Sequence, residues 1–160
     1  MQRNLPDSHS PVDKELRRPG VMKFEYQKYQ GDKGEALFMP NIPVMFRKPE
    51  GGTLGAYALV DSGAGRSFFD AEYAAGLGIE DVESGKRIEF VGITGHILIG
   101  YFHDVTLLVG GHPYPMSVAF CPDFPVTWFA GVLGQEDFFT LFRIRFVFTK
   151  KEIEIVPEQA

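Results

Sequence analysis

From Val21 onward the chain runs in short apolar stretches, many alternating with polar residues and separated by Gly or Pro. The alternation is plainest at Arg143, Ile144, Arg145 and Phe146, and again at Glu152, Ile153, Glu154 and Ile155. A period of two turns one face of a segment inward and the other to water, which is the pattern of a strand. The β-branched and aromatic content of the runs points the same way. The pattern predicts strands at 22–29, 42–46, 57–60, 87–91, 96–102, 105–109, 116–120, 143–148 and 152–156. Turn residues between them predict four hairpins, with tips at 48–52, 92–95, 110–113 and 149–151. Two segments read as short helices. The first, 69–76, is Ala-rich with Gly76 and Gly78 available as stops. The second, 135–141, carries Glu136 and Asp137 in its first turn, where the helix dipole favours acid. The expectation is an all-β domain with one or two short helices.

Length and charge narrow the class. The 160 residues suit one domain with a sizeable core, and 15 Phe supply much of the apolar area for it. Residues 1–20 are polar, contain three prolines and predict a disordered leader, leaving 21–160 as the folded domain. The net charge is −5, and no Lys/Arg cluster exceeds Arg17-Arg18 or Lys150-Lys151. Nucleic-acid binding needs a concentrated basic surface and is not expected. The single cysteine, Cys121, excludes an internal disulfide and a Cys-based zinc site, and reads as a buried thiol. His9, His96, His103 and His112 lack metal-ligand spacing, so no metal or cofactor is expected. Neither a signal-type apolar segment nor a membrane span stands out, which reads as a cytoplasmic protein with no membrane partner.

One stretch carries chemistry. Ala58-Leu59-Val60 runs directly into Asp61-Ser62-Gly63-Ala64, an apolar strand ending in an acid, a hydroxyl and a glycine. An acid at the end of a buried strand is costly unless solvated, paired or used. Ser62 can hold backbone amides, and Gly63 permits a tight loop. Taken alone, the segment reads as an ordinary turn more often than as a site.

Its neighbours decide between the two. The chain resembles the retropepsin-like, single-lobe aspartic peptidases of bacterial type over about residues 36–156. Leu59-Val60-Asp61-Ser62-Gly63-Ala64 is similar to the catalytic loop. Ser67-Phe68-Phe69 through Leu77-Gly78-Ile79 resembles the segment after that loop in the bacterial members. Val91-Gly92-Ile93-Thr94-Gly95-His96 resembles the glycine-rich flap. Val132-Leu133-Gly134 resembles the apolar-apolar-Gly element that precedes a short helix, and Phe142 to Phe146 the closing strand. The resemblance implies an acid-protease-like closed β-barrel or sandwich with a flap hairpin. It implies Asp61 as the catalytic acid, supported by Ser62, Gly63 and Ala64. Ile93, Thr94, Gly95, Phe129 and Val132 become candidate substrate-binding residues. Gln135 stands where the retroviral members carry an Arg that braces the active site, so that support is absent or built differently.

Water-driven amide hydrolysis needs one group to take a proton from water and another to protonate the carbonyl oxygen. Two carboxylates sharing one proton do both. The chain has one Asp-Ser-Gly, so the second acid must come from a second copy, and the expected assembly is a homodimer acting on extended polypeptide. The alternative is a catalytically silent peptide-binding or dimerisation module on the same fold. Ser62 as a hydrolase nucleophile is disfavoured, because no Gly-x-Ser-x-Gly elbow surrounds it.

Overall fold

The computed structural model describes residues 20–158; the expected leader lies outside them except for Gly20. The strands are β1 (Met22–Glu25), β2 (Gln27–Gln30), β3 (Ala36–Met39), β4 (Asn41–Arg47), β5 (Thr53–Val60), β6 (Phe68–Asp70), β7 (Lys86–Val91), β8 (Ile97–Val109), β9 (His112–Cys121), β10 (Gly131–Leu133), β11 (Phe142–Val147) and β12 (Glu152–Pro157). One short α-helix, α1 (Glu72–Gly76), follows β6. The chain is all-β.

Seven strands form one sheet in the order β4-β5-β10-β6-β9-β8-β7. A further pairing of β4 with β8, in the register Met45↔Leu108 and Phe46↔Leu107, closes the first six of them into a barrel. Strand β7 remains outside the closure, paired only along the first part of β8. The 13-residue β8 therefore serves twice: its later half closes the barrel, and its earlier half projects with β7 as a hairpin. A smaller sheet, β1-β12-β11, contributes Ile153 and Ile155 to the same core, and β2 and β3 form a separate hairpin.

The alternation in the sequence explains which side chains fill the barrel. Ile42, Val44 and Phe46 point inward from β4, as do Ala56, Ala58 and Val60 from β5. Leu107, Val109, Val118 and Phe120 meet them from β8 and β9. Phe46 packs edge-on against Phe69 with ring centroids 4.8 Å apart and also meets Phe120 at 6.1 Å. Fully burying a side chain of this size contributes about 1.5–3 kcal/mol. The β8–β9 turn is Gly110-Gly111, with φ of +57° and +82°. Two successive left-handed residues match the right-handed twist of the strands they join, which is why a glycine pair stands there.

Several expected boundaries move. The strand expected at 22–29 breaks at Tyr26, whose N–H donates to the Lys151 carbonyl at 2.8 Å, so that β1 joins β12 while β2 joins β3. The segments at 96–102 and 105–109 are one continuous strand. The helix expected over 69–76 begins only at Glu72, because Phe68–Asp70 is drawn into parallel pairing with β9. The helix expected over 135–141 is a tighter-bounded stretch at Gln135–Phe139 with i→i+5 bonds: Phe139 N–H to Gly134 carbonyl (3.1 Å) and Thr140 N–H to Gln135 carbonyl (3.2 Å). Among the described residues, no helix is long and apolar enough to cross a membrane.

Cys121 is buried at the end of β9, and desolvation, with a smaller push from Asp70, raises its thiol to about 12. A buried neutral thiol is unreactive toward disulfide reagents, so Cys121 should be labelled at pH 8 only when the chain is unfolded. The linked stability is fully present below the ordinary thiol value of 9.0 and is lost as pH climbs toward about 12. Phe46→Ala should lower unfolding free energy by about 3–5 kcal/mol in a denaturant titration.

Candidate active site

Strand β5 delivers Asp61. Strand β10 lies parallel to it in the register Val132↔Leu59 and Leu133↔Val60, and the Asp61 N–H continues the ladder to the Leu133 carbonyl at 3.0 Å. On its other side β10 runs antiparallel to β6, pairing Val132 with Phe68. The loop 61–67, which connects β5 to β6, must therefore arch over the end of β10. Asp61 stands half-buried at the base of that arch, with Oδ1 accepting from the Gly63 N–H at 2.8 Å.

The arch is held from beneath by the start of the 135–139 stretch. Gln135 N–H donates to the Ala64 carbonyl and Glu136 N–H to the Gly65 carbonyl, each at 2.9 Å. The Gln135 side-chain amide donates to the Ser62 carbonyl. At the far end, Asp137 accepts from the Ser67 N–H (2.9 and 3.0 Å), from the Ser67 hydroxyl, and from Arg66 Nε at 3.1 Å. Ser67 Oγ in turn accepts from the Gly134 N–H at 2.9 Å. The Asp137 side chain is only 6% exposed, and hydrogen bonds to such a charged acceptor contribute about 1.5–3 kcal/mol each. Support for the loop is thus built without an Arg at position 135.

Asp61 opens onto a cleft of about 900 Å³. Its floor is the arch (Asp61, Gly63, Ala64) and its far wall is the β7–β8 hairpin, including Ile93 at the tip. Phe68, Phe90, Phe124 and Phe129 line the interior, with centroid separations of 4.4 Å for Phe68–Phe90 and 6.1 Å for Phe68–Phe124. The hairpin tip is closed by Gly92 N–H to the His96 carbonyl (3.1 Å) and Gly95 N–H to the Gly92 carbonyl (2.9 Å). Val91, Ile93 and Ile97 are largely exposed there.

Of the candidates from the sequence, Asp61, Gly63, Ala64, Ile93, Phe129 and Val132 come together around the cleft. Ser62 is exposed on the loop, and Thr94 and Gly95 are exposed at the hairpin tip beyond the cleft wall. Phe90 and Phe124 carry no signal in a single sequence beyond being aromatic, and Phe68 is marked only as part of the stretch that follows the loop. Asp137 could have been found only by asking what a buried acid beside Gly134 must accept. Among the described residues, no group of three or more His, Cys, Asp or Glu could hold a metal ion.

No protein-family model and no curated protein matches the chain. Its structure is similar to the crystal structure of a retropepsin-like aspartic protease from Rickettsia conorii, with a TM-score of 0.53 and 15% identity, covering 86% of this chain and 99% of that one. The fold is retropepsin-like. A second similar structure is the retroviral protease-like domain of Ddi1 from Leishmania major, with a TM-score of 0.44 and 16% identity, covering 76% and 96% of the two chains.

In this retropepsin-like fold Gly134 sits directly beneath the arch, where a Cβ would lie 2.5 Å from the Arg66 carbonyl oxygen and 2.8 Å from that of Ala64. Both are backbone atoms and cannot swing aside. Gly134→Ala should cost about 1–3 kcal/mol in unfolding free energy, read by denaturant titration, as the loop is forced upward.

Proposed function

We propose that the chain is one half of an aspartic endopeptidase, and that two copies pair across a two-fold axis to bring together an Asp61 from each. The observation that carries this is Asp61 at the floor of a largely apolar cleft, facing a hairpin that forms the opposite wall. A single carboxylate there lacks the partner that proton sharing requires, and the chain holds one Asp-Ser-Gly. A two-fold axis supplies the same residue twice.

In that assembly the two carboxylates hold one proton between them. The ionised one takes a proton from a water as its oxygen attacks the peptide carbonyl carbon. The protonated one gives its proton to the carbonyl oxygen, forming a neutral tetrahedral diol. Collapse breaks the C–N bond. The nitrogen leaves with a proton returned by one carboxyl, while the diol hydroxyl gives its own to the other. Ser62, exposed beside Asp61, would stitch the two loops together through its hydroxyl, and the Gly63 carbonyl would accept from an extended peptide. The β7–β8 hairpin would close over the bound chain and exclude water, with Ile93, Thr94 and Gly95 at its tip. Phe129 and Val132 would wall the side-chain pockets.

Asp61→Asn should abolish peptide cleavage while sedimentation still reports a dimer; substantial turnover in that variant would remove Asp61 from the chemistry. A statine-type transition-state mimic should raise the melting temperature of the native protein and not of Asp61→Asn. No cleavage of a peptide library and no thermal shift would assign the fold to the silent binding module instead.

A further inference from the structure

We infer that Asp137 is a positioning residue for Asp61, acting through Ser67 and Arg66; the inference rests on the aspartic-peptidase reading of the site. The loop 61–67 leaves the barrel at β5 and re-enters at β6, so its conformation is set by what grips its two ends. The first end is fixed by the β5–β10 ladder, through the Asp61 N–H to the Leu133 carbonyl at 3.0 Å. The second end has no ladder partner at Ser67 N–H or Arg66 Nε; both donate to Asp137 instead, at 2.9 and 3.1 Å. The Ser67 hydroxyl donates to the same carboxylate while accepting from the Gly134 N–H, tying the far end of the loop to the strand exit beneath it.

The geometry makes a carboxylate the fitting group. Three donors converge on two oxygens, one of the donors is cationic, and both Ser67 and Asp137 are shielded from water. The Arg66 guanidinium is also stacked over the Phe102 ring at 4.1 Å, so the ion pair sits on β8, the strand that carries the flap hairpin. An amide at 137 would present one acceptor and one donor, and its donor would oppose either Ser67 N–H or Arg66 Nε. The far end of the loop would then lift, and with it the Gly63 N–H that orients the Asp61 carboxylate. A displacement of about an ångström at a reacting group is enough to slow chemistry on the order of a hundredfold without altering how the peptide is held.

The test compares the wild-type chain with Asp137→Asn, Ser67→Ala and Ser67→Thr, using amide hydrogen exchange and steady-state cleavage of an apolar peptide. Positioning predicts exchange within 61–67 at least tenfold faster in Asp137→Asn, with β9 and β12 unchanged. It predicts a kcat at least tenfold lower with KM within twofold, a similar loss in Ser67→Ala, and recovery of most of it in Ser67→Thr, which keeps the hydroxyl. Unchanged exchange across 61–67 overturns the inference, whether or not the wild type cleaves. So does faster exchange spread evenly through β9 and β12, which would make Asp137 a general stabiliser. Absence of cleavage by the wild type counts against the peptidase reading alone, since the exchange comparison needs no turnover.

Discussion

The insertion of β10 between β5 and β6 is the constraint on which the site depends. Three residues, Gly131–Leu133, pair parallel to β5 on one side and antiparallel to β6 on the other. Strands β5 and β6 are consecutive in this part of the chain, and without an intruder they would be free to meet as a hairpin. With β10 between them, the connection has to climb over its end, and the residue at the foot of the climb is Asp61. A polar loop is thereby raised at the edge of an apolar barrel with its backbone groups satisfied from below. The packing leaves no slack: Phe69 occupies the space a side chain at 131 would need, and the loop carbonyls occupy the space at 134.

Barrel closure supplies the second wall. Strand β8 is pinned by β4 near Leu107 and Leu108 and by β9 along its whole later half. Its earlier residues, 97–100, pair only with β7, because the β9 ladder begins at Tyr101. One strand thus has a fixed base and a projecting end, and the hairpin it carries reaches across from the floor set by Asp61. Exposed Val91, Ile93 and Ile97 at that hairpin leave apolar area in water that an apolar chain in the cleft would cover. The cleft interior is of the same character, with four phenylalanines drawn from the post-loop strand, the hairpin and the 121–130 segment.

Most of the framework was legible in the residues because hairpins are local. Glycine pairs at 51–52 and 110–111 mark turns whatever the rest of the chain does, and alternation in β4, β5 and β12 sorts core from surface, although in β11 it fails at Phe146, which is exposed. Elements created by distant pairing were not legible. Gly131-Val132-Leu133 is wholly buried and too short to alternate, so nothing in its pattern says strand. Phe68–Asp70 lies beside a good helix-forming run, and only its pairing between β10 and β9 makes it extended. The site divides the same way. Asp61 and the hairpin tip at 92–95 are singled out by motif, whereas Phe90 and Phe124 become cleft residues only once β7 and the 121–130 segment are folded over the loop.

Position 135 shows how one mechanical problem admits two solutions. A cation at that place, as the retroviral pattern has it, would grip the loop through an ion pair. Here the loop carbonyls of Ser62, Ala64 and Gly65 are already taken by the Gln135 amide and by the backbone N–H groups of Gln135 and Glu136. What remains in need of a partner is a set of donors: the N–H and hydroxyl of Ser67 and the Nε of Arg66. Donors call for an acceptor, and a cationic donor calls for an anion. The wide i→i+5 turn of 135–139 carries the acid at 137 under the far end of the arch rather than its near end. The polarity of the brace is inverted while the loop is still held at both ends, so the absence of Arg at 135 is no argument that Asp61 is unsupported.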